Sequence, residues 1–219
     1  QERSCGRFAR SLRAARALLL ETGIEALSCE SIAAAADVPV GTVYQFFPNK
    51  FSIVCELDRL DTESVAAELD AFGAQIPSLE WKELLDALID HLAMEWSHDP
   101  SRRAVWLSMQ ATPVTREAST LHQQILGDRV ARIISPLTPG THRRERSTIA
   151  QVVVHTCYSM LNFSVRDHRA HPAAVRETKR LLTAYLEVAA AESLATQGSC
   201  RRPVGRQRSG WPTRPSRPR

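Results

Sequence analysis

A chain of 219 residues with a net charge of +4 can form one large domain or two small ones, each with a hydrophobic core of its own. Its apolar runs are too short for a membrane span and its first residues are charged, which argues against a bilayer helix or a secretory leader and predicts a soluble, cytoplasmic protein. Five cysteines (Cys5, Cys29, Cys55, Cys157, Cys200) lie far apart, without the close pairs of a zinc site or redox dithiol, so separate reduced thiols and no metal or cofactor are expected.

The charge is uneven. Residues 197–219 carry seven arginines and no acid, so residues 1–196 net −3 once those seven are subtracted from +4. A second basic patch, Arg3, Arg7, Arg10, Arg13 and Arg16, opens the chain against Glu2 alone. Localised basic patches on a mildly acidic body suit site-specific nucleic-acid binding better than a uniformly basic surface would.

In chain order, Phe8, Leu12, Ala15, Leu18 and Leu19 recur at helical spacing, predicting a helix over 7–21 that Gly23 terminates. Ser28 stands as the cap of a short second helix, about 29–36, with Glu30 in its first turn and small residues at Ala33 to Ala36 for close packing. Asp37, Val38 and Pro39 form a tight turn into a third helix, about 40–46, which Pro48-Asn49 ends. A long helix follows over 50–73. Further helical segments are expected at 78–97, 101–109, 114–135, 143–167 and 172–194, separated by Pro, Gly or charge-rich breaks, with no alternating strand pattern. From 197 the composition turns to Gly, Pro, Ser and Arg, predicting a disordered tail: an unstructured extension or a non-specific nucleic-acid arm.

Two short helices joined by a tight turn and preceded by a third form a helix-turn-helix. Residues 28–50, SCESIAAAADVPVGTVYQFFPNK, resemble the signature of the TetR family of bacterial regulators, through Ile32-Ala33, Val38, Gly41-Thr42-Val43-Tyr44 and Phe47-Pro48-Asn49-Lys50. The specific likeness covers about residues 7–55. Asp37 stands where the family commonly has Gly, but Asp tolerates a left-handed backbone. Pro39 replaces a usual Ser or Thr cap, so a phosphate contact typical of the family is expected to be missing.

The residues also make chemical sense on their own. Ser28, Thr42, Tyr44 and Lys50 offer hydroxyl and ammonium donors for phosphate oxygens. Gln45 can pair with an adenine edge and Val40 can meet a thymine methyl. Gly41, beside Pro39, leaves room for a DNA backbone or a neighbouring helix.

The resemblance implies an all-α architecture: a three-helix DNA-binding domain over 1–50, then a helical bundle over 51–196 with an internal ligand pocket, the last two helices dimerising. Candidate pocket residues are Trp81, His91, Trp96, Trp106, Met109, His155, Tyr158, Asn162 and Phe163, with Met160 beside them, since large aromatics and a few polar groups line apolar-ligand cavities. His155 and Asn162 lie two turns apart in an otherwise apolar helix, where a ligand or a structural hydrogen bond would satisfy them. No nucleophile elbow, phosphate loop or dinucleotide fingerprint is present. The expected function is a homodimeric repressor on a palindromic double-stranded operator, released by a small apolar effector. The alternatives are a regulator without a small-molecule switch, a ligand carrier or an enzyme.

Overall fold

The computed structural model describes residues 2–74, 80–166 and 169–200. Nine α-helices carry nearly all of these. α1 (Glu2–Ala26), α2 (Cys29–Ala36) and α3 (Val40–Phe46) form the head, and α4 (Lys50–Gly73) leads into the body. The body holds α5 (Trp81–His98), α6 (Pro100–Met109), α7 (Pro113–Ile133), a 3₁₀ turn at Ser135–Leu137, α8 (Arg143–Ser164) and α9 (Pro172–Cys200).

The helices begin where side chains answer their open amides. Ser28 caps α2 in a reciprocal box with Ser31, Asn49 caps α4 with Ser52, and Thr112 caps α7 with Thr115. Pro100 and Pro113 occupy first turns, where the missing N–H costs nothing. Gly23 interrupts α1 at φ 74°, ψ 175°, a backbone that other residues rarely adopt. The helix expected to stop there therefore bends and continues for one short turn.

Sequence periodicity missed one element. Val165–Arg166 pairs antiparallel with Arg169–Ala170 at the α8–α9 connection, a ladder of two residues per strand and too short for alternation to register. α8 accordingly ends at Ser164 rather than 167. At the other end α9 runs past the expected stop at 194 to Cys200; the remainder of the predicted disordered tail, 201–219, lies outside the described residues.

Two buried clusters organise the chain. The first joins Leu12, Ala15, Leu19, Ile32, Val43 and Phe47 of the head to Ile53, Val54 and Leu57 of α4 and to Val105 and Met109 of α6. The second gathers Val65 and Leu69 of α4 with Ile89 and Trp96 of α5, Leu126 and Val130 of α7, Val153 and Leu161 of α8, and Leu182 and Leu186 of α9. α4 thus contributes to both, and α6 packs its apolar face into the head's cluster. Arg16 of α1 adds a polar tie across the same seam: its guanidinium grips the Asp61 carboxylate in a two-point ion pair (2.7 and 3.1 Å) and donates to Ser101 Oγ at 3.2 Å. Among the described residues, no helix is long and apolar enough to cross a membrane.

Candidate nucleic-acid interface

The head is held by its aromatic residues. The Phe8 ring stacks on Phe47 at 5.2 Å and meets Phe46 edge-on at 5.4 Å, which pins α1 to the end of α3. Asp37 adopts the left-handed conformation (φ 51°, ψ 56°), and the Val38 N–H returns to the Ala33 carbonyl at 3.1 Å, closing α2 so that α3 leaves at an angle. Pro39 begins α3 without a side-chain cap, as its chemistry requires.

Val43 is sealed inside, while Pro39, Val40, Gly41, Tyr44 and Gln45 are exposed. Positions 40, 41, 44 and 45 share one side of a helix. The result is a narrow polar and apolar edge, open at Gly41: a Cβ placed there meets no atom within 4 Å, which removes the neighbouring-helix explanation for that glycine and leaves space for an external surface.

The expected phosphate donors are placed less uniformly. The Tyr44 hydroxyl donates to Glu30 Oε1 at 2.9 Å on the open surface. That carboxylate pushes the phenol's pKa up, so Tyr44 stays a neutral donor, while its own backbone N–H and the Tyr44 hydroxyl hold Glu30 below the usual carboxylate range. Ser28 is spent partly on its cap, accepting from Ser31 N at 3.0 Å. Thr42 is 6% exposed and lies on the packed side of α3 with Val43, away from the exposed edge. The Lys50 ammonium donates to the Ile24 and Glu25 carbonyls at 2.8 and 3.2 Å, closing the end of α1 beyond the Gly23 bend and keeping one N–H donor in reserve. Of the opening arginines, Arg10 and Arg13 are exposed, but Arg16 serves the seam instead.

Glu30 is the residue sequence reasoning passes over. Its position reads as that of a helix-start acid, and only the fold brings it to Tyr44, fourteen positions on. A phosphate that accepts the Tyr44 hydrogen bond in place of Glu30 would leave that carboxylate without the bond and facing a like charge. Glu30→Gln is therefore expected to raise affinity for any duplex DNA about fivefold, the worth of one close charge pair in water. The gain over the parent should shrink as pH falls and Glu30 itself protonates; equal affinities at all pH values, measured by fluorescence anisotropy, would remove Glu30 from the interface.

The expected pocket residues do not converge on one cavity. Trp96, Trp106 and Tyr158 pack on one another with ring centres 5.9 to 6.3 Å apart. Trp106 Nε1 is buried without a hydrogen-bond partner. Met109 is fully buried in the head's cluster, and His91 pairs with Glu68 at 3.3 Å. Asn162 accepts from Arg103 Nε at 2.9 Å, the structural answer to its polarity. His155 and Phe163 are exposed on the outer side of α8, with Met160 partly buried near them. Only Trp81 lines the body's apolar cavity, about 80 Å³ between α4, α5, α7 and α8, whose walls include Leu69, Phe72, Leu88, Ile133 and Val153. A wall of aliphatic residues from several segments carries no local polar signature, so spacing could not pick it out.

Comparison with known proteins agrees with this architecture. Residues 12–57 match the family model described as bacterial regulatory proteins, tetR family, and residues 79–190 match the tetracyclin repressor-like C-terminal domain. No curated protein matches the chain. Among solved structures, a TetR-family transcriptional regulator from Streptomyces coelicolor is 25% identical, covering 84% of this chain and 99% of its own, with a TM-score of 0.59. The same fold occurs in FadR of Thermus thermophilus, a repressor solved with lauroyl-CoA (21% identity, 80% and 93% coverage, TM-score 0.60). It also occurs in FadR of Bacillus subtilis, solved with stearoyl-CoA (17%, 84% and 98%, TM-score 0.63).

Proposed function

Since this chain belongs to the TetR family of bacterial regulatory proteins, we propose that it is a cytoplasmic homodimeric repressor whose residues 1–50 read a palindromic operator and whose residues 51–196 bind a small apolar effector. The observation that carries the reading is the bare edge of α3. Val40 and Gln45 face base edges, Tyr44 grips phosphate, and the open space at Gly41 admits the duplex. Lys50 adds its remaining N–H donor, and the half-buried Ser28 and exposed Pro39 border the same surface. Thr42 contributes by packing, not by touching DNA.

A helix-turn-helix reads two half-sites one turn apart only when it is doubled. The second copy docks on α8 and α9, where Val152, His155 and Phe163 form one exposed stripe and Leu181 and Val188 another. Exposed apolar stripes on adjacent helices are the raw material of a four-helix interface. The effector's apolar part enters the carbon-walled cavity at Leu69, Phe72 and Trp81; the acyl-CoA ligands of the two FadR neighbours support an apolar-tailed molecule. Binding favours the unbound arrangement of the heads only as far as the ligand prefers that state. α4, shared by both clusters, and α6, which leans on the head, are the elements that carry the change.

The test is salt-dependent binding to DNA from the protein's own promoter. Tyr44→Ala and Lys50→Ala should each weaken binding, and Lys50→Ala should lower the salt slope by about one. Lys50→Ala also leaves two carbonyls uncapped, so its melting temperature should fall while that of Tyr44→Ala holds. Unchanged binding in both variants would remove the assigned surface.

A further inference from the structure

A second recess lies against the head and differs in kind from the apolar cavity. It is a groove of about 440 Å³ between the C-terminal half of α1 and α6, across the seam that Arg16 and Asp61 tie. Leu19, Leu20 and Ile24 supply the α1 side, Leu107 the α6 side, and the buried Trp96 of α5 also lines it. Leu20 and Leu107 leave 44% and 43% of their surface in water although both line the groove. Arg103 is the one charged side chain among the lining residues. Its Nε is tied to Asn162 Oδ1 at 2.9 Å, which holds the guanidinium in place and spends one of its five N–H donors.

We propose that this groove binds a small amphipathic anion, its hydrocarbon part against the leucines and its carboxylate or sulfonate on Arg103. The volume falls within the range of small-molecule sites. Hydrocarbon over Leu20 and Leu107 removes apolar surface from water. The same coverage dehydrates the guanidinium, and an anion offsets that loss most fully; a carboxylate or sulfonate offers two oxygens to the N–H donors that Asn162 leaves open. A cationic amphipath of the same length would set a like charge against Arg103 and leave those donors covered. Because the walls come from α1 and α6 together, the occupant joins head to body. The site is independent of the operator reading and of the apolar cavity.

The probes are 8-anilinonaphthalene-1-sulfonate, followed by its own fluorescence, and dodecanoate as competitor, on the full chain. The sulfonate should bind and dodecanoate should displace it, whereas dodecylamine should not. Arg103→Gln should weaken both anions about tenfold or more, the worth of a charge-assisted bond. Leu107→Trp, at an exposed position that tolerates bulk, should weaken them by filling the groove. Arg144→Gln, an exposed cation of α8 outside both recesses, should leave both affinities unchanged; circular dichroism melts confirm that each variant is folded. Parent-like binding in Arg103→Gln and Leu107→Trp, an equal loss in Arg144→Gln, or equal displacement by dodecylamine would overturn the assignment.

Discussion

Gly41→Trp is expected to abolish specific operator binding while leaving the protein folded and no less stable. Glycine inside a helix costs up to about 1 kcal/mol relative to alanine, so any other residue at this position except proline favours α3 on propensity alone. A Cβ at Gly41 meets no atom within 4 Å, so the new side chain leaves the backbone into open space in the free protein. A duplex seated on Val40, Tyr44 and Gln45 must pass within reach of that indole. Lifting α3 out of the groove forfeits at least two contacts worth about 1–3 kcal/mol each, on the order of a hundredfold in affinity. Gly41→Ala should give the graded version: equal or higher melting temperature and a smaller loss of binding. Thermal melts beside anisotropy titrations check both. A destabilised Gly41→Trp with parallel loss of binding would mean that the glycine serves packing.

Asp61→Ala should be the most damaging single change to the seam between head and body, at about 2–3 kcal/mol, because it strands the Arg16 guanidinium where roughly four-fifths of each partner's side chain is covered. Asp61→Asn should cost less than about 1 kcal/mol, since an amide oxygen still accepts from Arg16. The reason lies in the carboxyl's own balance. Burial raises the Asp61 pKa by more than the Arg16 hydrogen bonds and charge lower it. A group whose folded pKa lies above its unfolded value contributes stability that is complete below the unfolded pKa and lost as pH rises through the folded one. The parent should therefore lose ground to Asp61→Asn as pH rises through the carboxylate range, a difference that cancels the titrations common to both proteins. Chemical denaturation of the pair at acid and neutral pH measures it. The ion pair thus serves to position α1 against α4 and α6 more than to stabilise the fold, and a widening parent advantage with rising pH would reverse that view.

The short helices of the head are legible because their ends are written in single residues. Ser28, the left-handed Asp37, Pro39 and the Pro48-Asn49 break bound α2, α3 and the start of α4 where the structure has them. The exposed edge follows from the same register, with Tyr44 and Gln45 outward and Val43 inward. What spacing cannot supply is the destination of long cationic side chains. Lys50 finds carbonyls twenty-five and twenty-six residues earlier and Arg16 a carboxylate forty-five residues later, partners that only the tertiary fold brings near. Met109 shows the same limit for apolar residues: its neighbours in sequence suggest a ligand pocket in the body, but α6 leans its apolar face on the head. His155 shows the converse, since an apolar helix with one side open to solvent reads like a buried one.

The central claim, that two copies of the α3 edge enter one duplex symmetrically, is tested most directly by selecting bound fragments from genomic DNA with the parent protein and with Gly41→Trp in parallel. The parent should enrich fragments sharing an inverted repeat, its half-sites centred about one helical turn apart, and the variant should enrich none of them. Enrichment of the same fragments by both proteins, or of fragments without two-fold symmetry by the parent, would contradict it.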